Sequence, residues 1–266
     1  MGFSRFLARQ IGPMDNFRPS KHHPTALRPD IVLIQGYFTT PASIQTLSEY
    51  FRSRGFKCAV PSLGGLGGQW QTDRVHRSGD ALSGYLQSLP SGTKPWVVGH
   101  SLGGILARYA VQLGGAESRV QGVLTLGSPH AGCPLAYLAV PLGFGLLARA
   151  AIDLQPRSRL MKKLNQLRWP DGIPLISVAS HGDVLCRPRD ARLVGPGTEG
   201  ADVIELDRAG HTELVRAPHL LARYIDLMGL TPSSRDHWCT GQHRRKATLH
   251  TEGTAREITP MGAAYG

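Results

Sequence analysis

Short apolar runs alternate along the chain with segments whose apolar residues recur at helical spacing. Continuous apolar runs are typical of parallel strands that are buried on both faces. We interpret six of these runs as strands, at residues 31–34, 56–60, 96–98, 123–126, 175–178 and 203–206. The intervening segments predict helices at residues 42–54, 73–89, 102–113 and 212–228. This alternation predicts an α/β fold with a mainly parallel sheet of about six strands and helices on both faces.

One long segment, residues 128–172, interrupts the alternation and exceeds an ordinary connection in a compact domain. Within it, Leu160, Met161, Leu164 and Leu167 recur at helical spacing, with basic residues on the opposite face. Because ligands bind at the carboxyl edge of parallel sheets, we predict that this segment forms a cap over that edge.

Composition divides the chain into three parts. Residues 1–29 show no clear period and are expected to form an N-terminal arm. The alternating pattern occupies residues 30–229, which we expect to form one domain with the cap as an insertion. Residues 230–266 are polar and aperiodic, and we expect them to form a disordered, dispensable tail.

The formal net charge of +11 favours contact with anionic surfaces such as nucleic acid, membranes or acidic substrates. The basic residues are spread along the chain, however, and no single basic run dominates. We therefore discount nucleic acid as a partner and expect most of the charges on solvated surface. The chain shows neither a signal-peptide core nor a run of about 18 apolar residues, which predicts a soluble, cytoplasmic protein.

The four cysteines, Cys58, Cys133, Cys186 and Cys239, form no CxxC pair. Their spacing therefore indicates neither a disulfide framework nor a zinc ribbon. A bridge between Cys133 and Cys186 remains open on the sequence alone. His237, Cys239 and His243 are metal-ligand types, but we expect scattered residues of a disordered tail there and predict no metal site. Nothing in the sequence suggests a cofactor.

The strongest chemical signal is a GxSxG motif, present as Gly99-His100-Ser101-Leu102-Gly103. The motif alone is weak in a chain with 32 glycines, but an apolar strand precedes it here and an amphipathic helix follows it. This context is typical of a nucleophile elbow, a sharp turn that exposes the serine hydroxyl above a sheet. We predict that Ser101 is a nucleophile and that the Leu102 amide, at a helix N-terminus, stabilises an oxyanion. The alternative is a glycine-rich turn with an incidental serine, which the flanking strand and helix disfavour.

The chain resembles bacterial lipases and esterases of the α/β-hydrolase family in the elbow and in three further segments. These are Gln35-Gly36 after the first strand, Gly127-Ser128-Pro129-His130, and residues 153–158. The resemblance covers residues 30–229 and implies an α/β-hydrolase fold. In the family a His-Gly pair follows the first strand, and the next residue donates the second oxyanion amide. Tyr37 is that donor by resemblance, and the change from His to Gln leaves its backbone amide in place.

A nucleophilic serine needs a neighbouring base, and the base needs an orienting acid. The chain order in this fold is serine, acid, histidine. The Gly-His turn after the last predicted strand matches the family position of the base, which indicates His211; the alternative is an ordinary helix-start residue. The loop after the fifth predicted strand indicates Asp183 as the acid. Asp190, in the same loop, is the nearest rival, and Asp202 and Asp207 are further alternatives.

These features predict a serine hydrolase that cleaves carboxylic esters through an acyl-enzyme intermediate, as a lipase or carboxylesterase. Hydrolysis of amides or thioesters by the same residues is an alternative. A non-catalytic binding protein on the same fold is another, because fold alone does not determine function.

The candidate substrate-binding residues are Phe38, His100, His130 and Leu142. His130 either orients its loop or touches the substrate. Leu142 lies in an apolar stretch of the cap, residues 135–147, which either lines an acyl pocket or packs in the core. An exposed apolar face beside basic residues would instead meet a lipid surface, giving the protein a peripheral contact with anionic membranes.

Overall fold

A computed structural model describes residues 28–36, 41–64, 73–139, 149–196, 198 and 201–231. The predictions for Tyr37, Phe38 and Leu142 lie outside the described residues. So do most of the N-terminal arm, all but the first two residues of the C-terminal tail, and residues 140–148 of the cap segment. The division into arm, domain and tail therefore stays a prediction.

The described residues form the predicted sheet, with six strands that all run parallel. The strands are β1 (Ile31–Ile34), β2 (Cys58–Ala59), β3 (Trp96–His100), β4 (Gly122–Leu126), β5 (Leu175–Ser180) and β6 (Asp202–Leu206). The first five strands are buried along their whole length, whereas β6, at the edge, is partly exposed. The α/β prediction and the number of strands are confirmed.

The strand order β2-β1-β3-β4-β5-β6 places a switch in direction between β1 and β3. The chain moves outward from β1 to β2 and then crosses back to β3 on the other side. At such a point the connections leave the two carboxyl ends in opposite directions, which opens a crevice for ligands. Ile34 pairs with Gly99 across this boundary, so the elbow motif begins where β1 ends.

Helices cover both faces of the sheet. They are α1 (Pro41–Ser53), α2 (Val75–Ser88), α3 (Leu102–Gln112), α4 (Ala136–Ala139), α5 (Arg149–Leu154), α6 (Arg159–Gln166), α7 (Pro188–Ala191) and α8 (Pro218–Leu227). Val97 faces one core cluster, which contains buried residues of α2, α3 and α6. Its neighbour Val98 faces the other cluster, formed with α1 and α8. Successive side chains of a strand point to opposite faces, so one apolar run serves both layers.

The C-terminal helix differs from its prediction. In place of one helix over residues 212–228, a 3-10 turn at Glu213–Val215 precedes α8. Pro218 lies in the first turn of α8. Since proline lacks a backbone N–H and restricts the residue before it, it begins a helix here instead of continuing one.

The amphipathic helix of the predicted cap is α6, with Met161 and Leu164 buried and Lys162 and Lys163 exposed. Its C-terminal end is bound to α3, because Gln112 donates to the carbonyls of Leu164 and Leu167 at 3.1 and 3.0 Å. Helix α6 therefore packs beside α3 as part of the crossover from β4 to β5. That the rest of residues 128–172 covers the carboxyl edge stays a prediction, because residues 140–148 lie outside the described residues.

The run at residues 153–158, which carried part of the family resemblance, has structural contacts in this protein. The Asp153 carboxylate accepts hydrogen bonds from Arg74 Nη1 and from the Val75 amide, at 3.0 and 2.9 Å. Ser158 Oγ accepts from the Met161 amide and thereby caps α6. The run thus fixes the starts of α2 and α6, and these contacts need no role in chemistry.

Candidate active site

Ser101 occupies a strained turn between β3 and α3. Its φ is 55° and its ψ is −122°, and among the described residues no other non-glycine residue has a positive φ. Such a conformation costs about 1–3 kcal/mol and persists only where the surroundings enforce it. The Ser101 amide donates to the Leu126 carbonyl at 2.8 Å, which ties the turn to the end of β4. The serine is partly exposed, whereas both of its neighbours are buried.

The glycines of the motif allow this turn because β3, α3 and the end of β1 pass within contact distance. A Cβ at Gly99 would lie 2.5 Å from the carbonyl carbon of Gly103. A Cβ at Gly103 would collide with the carbonyl oxygen of Ile34. The GxSxG spacing is therefore a packing requirement of the elbow.

The Leu102 amide begins α3 directly after the serine. Backbone N–H groups in the first turn of a helix have no acceptor within the helix, and the helix dipole is positive there. This amide is therefore suited to bind an anion formed beside Ser101. The second predicted donor, Tyr37, lies outside the described residues and stays a prediction.

Asp183 and His211 come together although 28 residues separate them. His211 Nδ1 and Asp183 Oδ2 lie 2.6 Å apart, so the Nδ1 hydrogen is donated to the carboxylate. In a neutral ring this tautomer leaves Nε2 as the proton acceptor. Asp190, the nearest rival, has its side chain 3.7 Å from Arg189, and no described contact joins it to His211.

The Asp183 carboxylate is buried and fully bonded. Besides His211, it accepts hydrogen bonds through Oδ1 from the amides of Leu185 and Cys186, at 2.9 and 2.8 Å. Its side chain has no exposed surface, whereas that of His211 is 8% exposed. The loop after β5 thus holds the Asp183 carboxylate in one position, and the His211 imidazole keeps limited access to solvent.

The turn that carries His211 is fixed by Glu213. The Glu213 carboxylate accepts from the Gly210 amide at 2.7 Å, as the acidic residue of a capping box does. The amides of Glu213 and Leu214 donate to the Gly210 carbonyl in return. His211 therefore lies inside a short closed loop and not at the start of a long helix.

Gly127 joins the serine and the Asp183–His211 pair in space. It follows Leu126, whose carbonyl accepts from the Ser101 amide. Its φ is +57°, and a Cβ here would lie 2.9 Å from Asp183 Oδ2 and 3.3 Å from His211 Nδ1. The end of β4 therefore contacts the turn of Ser101 through Leu126 and the pair through Gly127.

The two histidines predicted to bind substrate are interior residues. His100 is 1% exposed and His130 is 0% exposed, so neither can touch a substrate in this conformation. His100 Nε2 lies 2.9 Å from the His211 carbonyl, and His130 Nε2 lies 2.9 Å from Thr125 Oγ1. Their assignment as substrate contacts is corrected here: both support the framework of the site.

Burial lowers the pKa of both histidines well below 6.5. For His100 the nearby His211 adds to this effect, and for His130 the nearby Arg108 does. Both rings are therefore neutral at neutral pH. In the family-like Gly-Ser-Pro-His run, His130 orients the loop beside the elbow, which is one of the two roles left open by the sequence.

Several site contacts were not anticipated from the sequence. The amides of Leu185 and Cys186 carry no side-chain signal, although an aspartate at the start of a turn is a known hydrogen-bond acceptor for its own loop. Glu213, three residues after Gly210, is a detectable capping signal. The bond from His100 to the His211 carbonyl joins residues 111 positions apart, and no local pattern reveals it.

The described part of the chain contains three of the four cysteines. Cys58, Cys133 and Cys186 are free, so Cys133 and Cys186 are unbridged in this structure. Burial raises the pKa of the Cys186 thiol well above its usual value. Within the described ranges, no group of three or more His, Cys, Asp or Glu side chains is placed to hold a metal ion. No helix in the same ranges is long and apolar enough to cross a membrane.

The buried histidines predict a loss of stability in acid. Unfolding exposes them to water, where each protonates near pH 6.5, whereas the folded pKa is lower. Below pH 6.5 the unfolded chain therefore binds more protons, and the free energy of unfolding falls by up to about 1.4 kcal/mol per pH unit for each histidine. His130→Gln keeps a neutral donor but does not titrate, so its unfolding free energy in urea should fall less steeply than that of the wild type. Equal slopes would show that His130 does not contribute.

Comparisons with known proteins agree with this architecture. A family model described as the PGAP1-like alpha/beta domain matches residues 75–151, a region from α2 to the first residues of α5 that includes the elbow and β4. A search of curated protein sequences finds no match.

Solved structures share the fold at low sequence identity. The mature Bacillus licheniformis lipase BlEst2 has a TM-score of 0.60 at 21% identity, over 79% of this chain and 96% of that one. A monoacylglycerol lipase of Paleococcus ferrophilus has a TM-score of 0.55 at 15% identity, over 75% and 95%. A metagenomic α/β hydrolase from sediments of the Mar Chica lagoon has a TM-score of 0.53 at 18% identity, over 77% and 94%. The likeness at these identities concerns the fold alone, and it shows that this chain has the α/β-hydrolase fold.

Proposed function

We propose that this protein is a serine hydrolase that cleaves carboxylic esters through an acyl-enzyme intermediate. One observation carries the proposal: a buried, hydrogen-bonded Asp183–His211 pair lies at the end of β4, which also binds the strained turn of Ser101. Residues from the ends of β3 and β5 and from the loop after β6 thus meet at one edge of the sheet, in the order serine, acid, histidine.

In the proposed reaction, His211 Nε2 accepts the proton of Ser101 as the serine oxygen attacks the ester carbonyl. The Leu102 amide, and the Tyr37 amide by family resemblance, hold the oxyanion that forms. The tetrahedral intermediate then releases the alcohol, which takes the proton from His211. A water molecule attacks the acyl-enzyme with His211 as base, and the acid product leaves. Throughout, Asp183 holds the imidazole in the tautomer that this proton transfer requires.

The structural neighbours support an ester as the substrate. Two of them carry the name lipase, and one of these is a monoacylglycerol lipase. Amide or thioester hydrolysis would use the same residues and is the main enzymatic alternative. A binding protein without catalysis is disfavoured, because strain at Ser101 and a buried, fully bonded Asp183 have a cost that binding alone does not require.

A second proposal concerns lipid surfaces. Three large apolar side chains near the acid loop and the start of the cap segment are exposed: Leu135, Tyr137 and Val184, at 48, 44 and 65%. Lys162 and Lys163 are exposed on α6. Exposed apolar side chains together with exposed basic residues favour peripheral binding to an anionic membrane, from which a lipid ester would reach the site.

Replacing the nucleophile tests the main proposal. Ser101→Ala should abolish both ester hydrolysis and labelling by a fluorophosphonate probe, while circular dichroism and thermal unfolding show that the fold remains. The control, Ser91→Ala, removes an exposed serine before β3 and should change neither signal. Full labelling of the Ser101→Ala protein at another serine would refute the assignment.

Replacing each acid in the loop after β5 tests the pair. Asp183→Asn can no longer hold a charged imidazole and should lower kcat strongly, by as much as about 10⁴-fold, the loss known for the equivalent change in a serine protease. The matched control is Asp190→Asn in the same loop, which should have a far smaller effect because this side chain contacts Arg189 and not His211. Steady-state kinetics on a soluble short-chain ester measure both. The opposite ranking would make Asp190 the acid.

Charge removal tests the lipid proposal. Lys162→Gln with Lys163→Gln should weaken binding to anionic vesicles by up to about 1 kcal/mol per lysine, and leave turnover of a soluble ester unchanged. The control pair, Lys57→Gln with Lys94→Gln, removes the same charge at two exposed lysines that come just before β2 and β3, at the amino ends of these strands. Co-sedimentation with anionic and zwitterionic vesicles measures binding. If the two double variants lose vesicle binding equally, the affinity depends on net charge alone and α6 does not contact the membrane.

A further inference from the structure

The residue before Ser101 makes an unusual contact with the residue proposed as the base. His100 closes β3, and its Nε2 lies 2.9 Å from the backbone carbonyl oxygen of His211. The two imidazole rings lie beside each other, with centroids 4.5 Å apart and planes tilted by 45°. A direct link therefore joins the elbow to the turn of His211, in addition to any contact through Ser101.

The direction of this hydrogen bond follows from its partners. A carbonyl oxygen only accepts, so His100 Nε2 must carry the hydrogen and donate it. Burial and the proximity of His211 hold the pKa of His100 well below 6.5, so the ring is neutral. A neutral ring has a single N–H group, which fixes the tautomer with the hydrogen on Nε2.

The contact acts on the one part of His211 that Asp183 does not control. Asp183 binds the ring through Nδ1 and limits how the ring tilts. It does not bind the backbone of His211, and the hydrogen bonds that close the turn, from the Gly210 amide to Glu213 and from the Glu213 and Leu214 amides to the Gly210 carbonyl, hold Gly210 and not residue 211. The donor from His100 holds the carbonyl of residue 211 itself and sets how far the ring stands from the end of β3.

We infer that His100 is a positioning residue, which holds the His211 backbone at a fixed distance from Ser101 through the hydrogen bond from its Nε2. The expected effect on turnover rests on the proposed function. The positioning of His211 does not, because it can be observed without a substrate. A base must stand within hydrogen-bond reach of the serine, and a displacement of about 1 Å costs roughly 100-fold in rate.

The neutrality of His100 suits this role. During attack His211 becomes an imidazolium, and a second charge 4.5 Å away would oppose that step. Among the described contacts, Asp183 accepts from His211 Nδ1, and Glu213 binds the Gly210 amide next to His211. His100 thus supplies a strong donor to the turn without placing a positive charge beside the base.

Two substitutions of similar size separate the hydrogen bond from simple filling of space. His100→Gln can place an amide nitrogen near the position of Nε2 and donate to the same carbonyl. His100→Met has a similar length but no donor. We expect His100→Gln to keep most of the wild-type kcat and His100→Met to lose about 10- to 100-fold in kcat, with KM for a soluble ester unchanged in both. If His100→Met does not fold, as judged by thermal unfolding, His100→Leu replaces it.

A spectroscopic readout makes the test independent of turnover. His211 Nδ1 lies 2.6 Å from Asp183 Oδ2. The proton between these two atoms should give a far-downfield proton NMR signal, and His211→Gln should abolish it. The signal should persist in His100→Gln and should shift or broaden in His100→Met, because a looser turn admits exchange with water.

The outcomes distinguish the two ideas. If the wild type hydrolyses no ester but the NMR signal follows the pattern above, the proposed function fails and the positioning role stands. If His100→Met keeps both the wild-type signal and the wild-type kcat, or if Gln and Met are equally impaired, the hydrogen bond does not position His211 and the inference is overturned.

Discussion

The site depends on a carboxylate that has been removed from water. An ionised carboxylate in a protein interior is tolerated only where hydrogen-bond donors replace its hydration. Asp183 has three such donors, and two of them are amides of its own loop. The loop after β5 therefore determines where the carboxylate lies, and the carboxylate in turn determines the tautomer and tilt of His211. If the loop changed its shape, a charged side chain would lose its donors, which makes this loop resistant to movement.

The helix that follows the elbow contains a second buried charged residue, Arg108. Arg108 in α3 is fully buried, and among the described residues no carboxylate pairs with it. Its guanidinium donates to Gln112 Oε1, Asn165 Oδ1 and the Leu164 carbonyl, at 3.0, 3.1 and 2.9 Å. Burial lowers its pKa to about 10, so it stays charged at neutral pH. A cation at the C-terminal end of α6 is favoured by the helix dipole, and it binds the Leu164 carbonyl, which lies in the last turn of the helix and has no acceptor role within it.

This arrangement links α6 to the chemistry indirectly. Asn165, which accepts from Arg108, donates to the His130 carbonyl at 3.1 Å. His130 in turn is bonded to Thr125 of β4, the strand whose end contacts both Ser101 and the acid–base pair. The crossover between β4 and β5 is thus connected to the elbow by polar contacts, of which the one between His130 and Thr125 is buried and the two of Asn165 are partly buried.

The sequence was sufficient for the features that depend on local pattern. The strands, the elbow and the turn after β6 each depend on a few neighbouring residues. The spacing of these residues is compatible with one local structure, as it is for the glycines around Ser101. The pairing of Asp183 over Asp190 was favoured by position, and the described contacts agree with it: Asp183 lies 2.6 Å from His211, whereas the Asp190 side chain, in α7, lies 3.7 Å from Arg189. The interior position of His100 and His130 could not be predicted, because it depends on residues 111 and 35 positions away. The break before α8 is a feature that Pro218 indicates, whereas the prediction of one helix over residues 212–228 rests on apolar spacing alone, which is insensitive to a proline.

The three histidines near the elbow show how burial assigns proton chemistry. The His100 ring is bonded to the His211 carbonyl and the His130 ring to the Thr125 hydroxyl, and burial lowers the pKa of each, so both rings are neutral at neutral pH. Only His211 combines a carboxylate partner with a partly exposed ring. The Asp183 carboxylate accepts the Nδ1 hydrogen of His211, and the His211 ring keeps a small exposed surface, whereas the rings of His100 and His130 are bonded in the interior to a carbonyl and a hydroxyl. Of the three imidazoles, only that of His211 thus combines a described carboxylate partner with access to solvent.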